Sequence, residues 1–107
     1  MKRVYLIHRW DANPNSDWYP WLKKAFKNKD FEIIIPEMPD TSEPKINKWV
    51  SKLKNVIKNV DEDTYFIGHS LGCIAIVRYL ESLPKKAKVG GAIFVAGFSG
   101  NISIPEL

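Results

Sequence analysis

The sequence predicts an α/β fold: a parallel sheet of about four strands, covered by helices on both faces as a three-layer sandwich. Three observations predict it. Short runs of β-forming apolar residues alternate with amphipathic stretches of helical period, in the order strand, helix, strand, helix, strand, helix, strand. The strand runs are apolar enough to be buried, and right-handed crossovers put helices on both sides of such a sheet. No repeat, low-complexity segment or linker interrupts the 107 residues, so they read as one domain.

Val4 to His8 is the first strand, a short apolar run rich in β-formers. The turn-forming stretch Asp11-Ala12-Asn13-Pro14-Asn15-Ser16 follows it. Ser16 or Asp17 then caps a helix with Trp18, Trp21, Leu22, Ala25 and Phe26 on one face. Phe31 to Ile35 is the second strand, ended by Pro36. Thr41 and Ser42 are candidate caps for the next helix, with Pro44 in its first turn. Ile46, Trp49, Val50, Leu53, Ile57 and Val60 form its apolar stripe, with lysines filling the other face. Thr64 to Ile67 is the third strand, and Cys73 to Leu83 a helix apolar almost all round at its start. Ala92 to Ala96 is the fourth strand; the tail from Gly97 to Leu107 has no clear periodicity.

Composition narrows the function. Hydrophobic content of 45% and charged content of 26% are ordinary for a soluble globular chain. The single cysteine, Cys73, forms no internal disulfide; it reads as a small buried residue, with reactivity at a helix start as the alternative. No apolar run reaches the ~20 residues of a membrane helix, and no signal peptide opens the chain, so a cytoplasmic protein with no membrane partner is expected. The formal net charge is +4, mostly from lysines dispersed along two helices. These read as solvated faces rather than a nucleic-acid surface. No zinc-ligand spacing and no phosphate-binding glycine loop is present, so no metal or cofactor is expected. Trp18, Trp21 and Trp49 stand at core spacing, and Trp10 does not.

One motif carries chemistry. Gly68-His69-Ser70-Leu71-Gly72 fits the G-x-S-x-G nucleophile elbow, and it stands where that motif requires, between the β run Tyr65-Phe66-Ile67 and a helix. A serine on such a corner projects its hydroxyl, glycines on either side leave room for neighbouring backbone, and the helix start offers free N–H groups. The Leu71 N–H is then one oxyanion donor. The loop after the first strand supplies the other, and Trp10 N–H is the candidate. His8, Arg9, Trp10 and His69 flank this corner as candidate substrate-binding residues. His8 has a second reading, as a strand-end histidine that hydrogen-bonds the loop backbone.

With Val4-Tyr5-Leu6-Ile7-His8, Trp18-Tyr19-Pro20-Trp21-Leu22, Met38-Pro39-Asp40 and Phe94-Val95-Ala96-Gly97 added to the elbow, the chain resembles the small serine hydrolases related to retinoblastoma-binding protein nine. These are short α/β-hydrolases without a large cap. The resemblance implies strand order 2-1-3-4, a Ser-His-Asp triad, and hydrolysis of esters or similar small acyl compounds.

Two departures stand out. The family usually has glycine after the strand-end histidine, where this chain has Arg9. An arginine there either strains the oxyanion loop, since glycine accepts dihedrals that arginine does not, or reaches solvent. The resemblance also places the triad Asp and His after two further strands, beyond Leu107. His69 is adjacent to Ser70 and faces elsewhere, and His8 lies on the wrong side of the corner. No residue here is assigned as acid or base, so the expectation is a truncated α/β-hydrolase fold with impaired activity. A non-catalytic binding protein that keeps the half-fold is the alternative. An apolar edge at the fourth strand is expected to drive homo-oligomer formation.

Overall fold

The computed structural model describes residues 2–27 and 29–95. The elements run β1 (Lys2–Ile7), α1 (Tyr19–Ala25), β2 (Phe31–Ile34), α2 (Ile46–Val56), β3 (Thr64–His69), α3 (Leu71–Glu81) and β4 (Gly91–Val95). The strands form one sheet in the order β2-β1-β3-β4, with every neighbouring pair parallel. This is the expected α/β sheet in the expected order. Parallel neighbours need a long crossover between them, which the helices supply.

The two-residue period of β1 divides the core. Tyr5 and Ile7 point to the layer of α2 and α3, where they meet Trp49, Leu53, Ala75, Ile76 and Tyr79. Leu6 points the other way, to Ala12, Tyr19 and the half-buried Trp18 and Leu22 around α1. Each fully buried large apolar side chain contributes roughly 2 kcal/mol, so the two-helix layer is the stronger support. The Ser70 corner sits above it, at the C-terminal ends of β1 and β3.

Several boundaries differ from the sequence reading, each for a physical reason. Thr41 and Ser42 do not cap α2, which starts after Lys45 with no side-chain cap. Their carbonyls are taken by the loop after β1: Asp11 N–H donates to Thr41 O at 2.8 Å, and Trp10 Nε1 to Ser42 O at 3.0 Å. Nor do Ser16 and Asp17 cap α1. Ser16 Oγ accepts from Asn13 N–H, and the Asp17 carboxylate holds Arg9. The buried side of α1 is Tyr19, with Leu22 and Phe26 half-buried, whereas Trp21 is 68% exposed and Ala25 is exposed. The core assignment of Trp21 is therefore corrected by one helical position. β3 runs on to His69 and α3 begins at Leu71, leaving Ser70 alone between them. Ala96, the expected end of the fourth strand, and the tail beyond it lie outside the described residues. Among those described, no helix is long and apolar enough to cross a membrane.

Candidate active site

Ser70 is the whole connection between β3 and α3, and its backbone is forced: φ is 56° and ψ −115°. A residue with a Cβ holds such dihedrals at a cost of order 1–3 kcal/mol, and only where its surroundings over-determine them. Here two hydrogen bonds do so. Ser70 N–H donates to Val95 O at 2.9 Å, and Cys73 N–H donates to Ser70 O at 2.9 Å.

The two glycines of the motif are set by space. A Cβ on Gly68 would stand 2.7 Å from Cys73 Cα and 2.8 Å from Cys73 N. A Cβ on Gly72 would overlap the Ile7 carbonyl and stand 2.9 Å from the His8 oxygen. The first turn of α3 therefore lies directly on the end of β1, and the loop after β1 is brought beside Ser70. Ser70 is half-buried, and its hydroxyl makes no hydrogen bond among the described residues. At the start of α3 the Leu71 N–H precedes the first helical acceptor and has none among them either. The same holds for the Trp10 N–H.

His8 is 0% exposed. Its Nε2 accepts the Met38 N–H at 3.2 Å, and its Nδ1 lies 2.9 Å from Arg9 O. With Nε2 accepting, the ring proton sits on Nδ1 and is donated to that carbonyl. Burial holds the His8 pKa below the ordinary imidazole value, with the Arg9 charge acting the same way and the hydrogen bond to Arg9 O opposing it. The expected substrate-binding side chain thus has no surface to offer a substrate. Of its two readings, the loop-holding one matches this geometry.

Arg9 does not carry a positive φ. Its guanidinium folds over Asp17, Nε to Oδ2 at 2.7 Å and Nη2 to Oδ1 at 3.3 Å, and Nη1 donates to Trp10 O at 2.9 Å. Arginine therefore strains nothing at this position and braces the loop from outside. Hydrogen bonding to Arg9 holds the Asp17 carboxyl below its usual range. Trp10 is 57% exposed, its indole N–H held by Ser42 O.

On the inner side stands Tyr19, whose hydroxyl oxygen accepts the Arg9 N–H at 3.0 Å and lies 2.8 Å from His69 Nδ1. Burial pushes the Tyr19 pKa up to about 12, so the hydroxyl stays protonated. The His69 ring packs against Tyr19 and Trp18, and Asp17 Oδ2 is 3.7 Å from its Nδ1. Desolvation lowers its pKa, and the Asp17 charge opposes this. Cys73 is half-buried with Sγ 3.7 Å from Val95 O, and burial raises its pKa, which disfavours the reactive thiolate. Among the described residues no group of His, Cys, Asp and Glu could hold a metal ion.

Of the sequence-predicted residues, His69, Ser70 and Leu71 stand on the elbow and His8, Arg9 and Trp10 on the loop after β1, the two being linked from the Arg9 N–H through the Tyr19 hydroxyl to His69. Sequence reasoning missed Tyr19 and Asp17. The signal for Tyr19 was its place within the Trp18-to-Leu22 helix start; a polar-tipped aromatic there buries its ring only if the hydroxyl finds a partner.

Comparison with known proteins adds independent findings. The profile of a family described as serine hydrolase matches residues 4–106. The chain is similar to the protein named as hydrolase YdeN of Bacillus subtilis (strain 168), 39% identical over 106 residues, covering 99% of this chain and 55% of that one. It is also similar to the serine hydrolase RBBP9 of Rattus norvegicus, 33% identical over 66 residues, covering 61% of this chain and 35% of that one. The crystal structure of the B. subtilis ydeN gene product, an α/β-hydrolase fold, superposes with a TM-score of 0.82 at 38% identity, over 88% of this chain and 50% of that chain. The chain therefore spans about half the length of YdeN and about a third of RBBP9.

Proposed function

Because the chain belongs to the serine hydrolase family, we propose that Ser70 is the nucleophile of an acyl-transfer reaction, attacking the carbonyl carbon of a small ester or related acyl compound. The observation that carries this reading is the forced backbone of Ser70, with φ at 56° on the only residue between β3 and α3. Strain of this kind clusters at reacting residues. The N–H groups of Leu71 and Trp10, both without an acceptor among the described residues, receive the developing oxyanion. One such donor is worth about 3 kcal/mol of barrier. The exposed Trp10 and the Arg9 side of the loop border the acyl site, with His69 behind them.

Attack by Ser70 needs a base to take the hydroxyl proton. His8 and His69 are the chain's histidines, and both ring Nδ1 and His8 Nε2 are held by hydrogen bonds away from Ser70. The base and its carboxylate partner are therefore proposed to come from outside these 107 residues, which alone react slowly. The test is labelling with a fluorophosphonate. We expect slow phosphonylation of Ser70, faster with imidazole as an external base and abolished in Ser70→Ala. Absence of labelling with and without imidazole refutes the nucleophile. Fast labelling indifferent to imidazole refutes the external base.

A second reading, a non-catalytic interaction protein, is favoured by the engagement of both histidines in structural hydrogen bonds; the same labelling decides between the two. Self-association is also proposed. Among the described residues β4 has a neighbour on one side only, and Ile93, Phe94 and Val95 are exposed along it. Apolar strand edges of this kind recruit further strands. A monomeric mass by light scattering at high concentration refutes it.

A further inference from the structure

We propose that the Tyr19 hydroxyl is a positioning group for the reaction at Ser70, tying the loop that carries the Trp10 N–H to the residue beside the nucleophile. This rests on the reading of Ser70 given above. The buried hydroxyl touches two groups from opposite walls of the corner: the Arg9 N–H at 3.0 Å, one peptide before Trp10, and His69 Nδ1 at 2.8 Å, one residue before Ser70.

Hydrogen bookkeeping fixes the direction of each bond. The Arg9 amide can only donate, so the hydroxyl oxygen accepts there. Tyr19 is 0% exposed, and among the described residues its own proton has one hydrogen-bond acceptor within reach, His69 Nδ1. The histidine is therefore neutral and carries its proton on Nε2. The result is a chain of donors, Arg9 N–H to Tyr19 O–H to His69, running between the two elements that frame the acyl site.

No other hydrogen bond among the described residues joins the Arg9–Trp10 backbone to the elbow. The Arg9 guanidinium braces the loop against Trp10's own carbonyl and against Asp17, whose Oδ2 lies 3.7 Å from His69 Nδ1, beyond hydrogen-bond distance. Oxyanion donors act over a narrow range of distance, so a loop released by a few tenths of an ångström loses rate before it loses fold. Tyr19→Phe removes this tie while keeping the ring against Trp18 and His69.

The experiment uses the full chain and reads three quantities, with imidazole present for the kinetics. In the native chain, ¹⁵N spectra of the His69 imidazole should show the Nε2-protonated tautomer. In Tyr19→Phe, that tautomer preference should be lost, hydrogen exchange at the Arg9 amide should quicken, and Ser70 phosphonylation should slow by about tenfold or more, below the full loss of a donor. His69→Asn, whose Oδ1 falls near the place of Nδ1, should keep most of the rate, and His69→Leu should not; this pair also serves if Tyr19→Phe does not fold. Equal labelling rates in native and Tyr19→Phe chains, equal rates in the two His69 variants, or a native His69 protonated on Nδ1 would each overturn the inference alone. A native chain that takes no label at Ser70 overturns the nucleophile reading instead, and with it any role for Tyr19 in that reaction.

Discussion

The two walls of the Ser70 corner are held by different physics. The elbow wall is backbone against backbone: Gly68 faces Cys73, and Gly72 faces the carbonyls of Ile7 and His8, with no room for one methyl group. The loop wall, His8 to Trp10, is held by hydrogen bonds that involve side chains: the His8 ring accepts the Met38 N–H, the Arg9 guanidinium donates to Asp17, and the Arg9 N–H donates to the Tyr19 hydroxyl. Close-packed backbone has one arrangement or none, whereas hydrogen-bonded side chains can be loosened by degrees. The elbow should therefore answer to substitution through stability, and the loop through rate and pH.

The sharpest way to break this contrast is Gly72→Ala. The new Cβ would overlap the Ile7 carbonyl, part of the central strand's backbone and unable to move cheaply. We expect a loss of about 3 kcal/mol or more, read as a lower urea midpoint or failure to fold. A variant as stable as the native chain would mean that α3 and β1 are not in contact where they are described.

The same contrast governs what the sequence disclosed. The elbow was legible because its constraint is local: strand, glycine, serine, glycine and helix are contiguous, and each residue type has a steric reason that a sequence displays. The sheet order was legible for a similar reason, since alternating elements leave few topologies. The loop wall was not. Tyr19 acts across the fold, His69 being 50 positions away, and Asp17 holds Arg9 across a turn; no residue type near either announces the partner. Trp21 reads as core from the sequence because the apolar set of α1 has two overlapping helical faces. The choice between them was made by the Tyr19 hydroxyl, which finds partners only when its ring points inward. The question of Arg9 could not be settled from residue type alone, because the answer lies in Asp17.

A smaller effect is expected at His8, which belongs to the loop wall but is fully buried. His8→Leu leaves the Met38 N–H without its acceptor, a loss of about 2 kcal/mol near pH 7.5. Its pH dependence follows from the lowered pKa. The unfolded chain takes up a proton near the ordinary imidazole value of 6.5, the folded chain only at lower pH. Stability is thus fully present above that value and declines as pH falls below it. His69, also lowered, adds in the same direction. The melting temperature should fall between pH 7.5 and 5, and fall less in His8→Leu. A flat profile in the native chain would show that His8 is not a buried neutral ring.

The smallest effect belongs to the Arg9–Asp17 pair, and it separates bracing the loop from aiming it. The pair is partly exposed, 38% for the arginine side chain and 28% for the carboxylate, so solvent screens it, and pairs of this kind contribute less than about 1 kcal/mol. Because the Asp17 pKa is held below its usual range, its contribution is full above the ordinary carboxylate value, declines as pH falls below that value, and is gone once pH has passed below the lower folded one. A double-mutant cycle of Arg9→Ala and Asp17→Ala should give a small coupling energy that shrinks with added salt. Ser70 phosphonylation should change by only a few-fold in Arg9→Ala, since the Arg9 N–H is still accepted by Tyr19. If Arg9→Ala instead slows Ser70 as much as Tyr19→Phe does, then the guanidinium, not the tyrosine, sets the loop, and the division of labour within the loop wall is reversed.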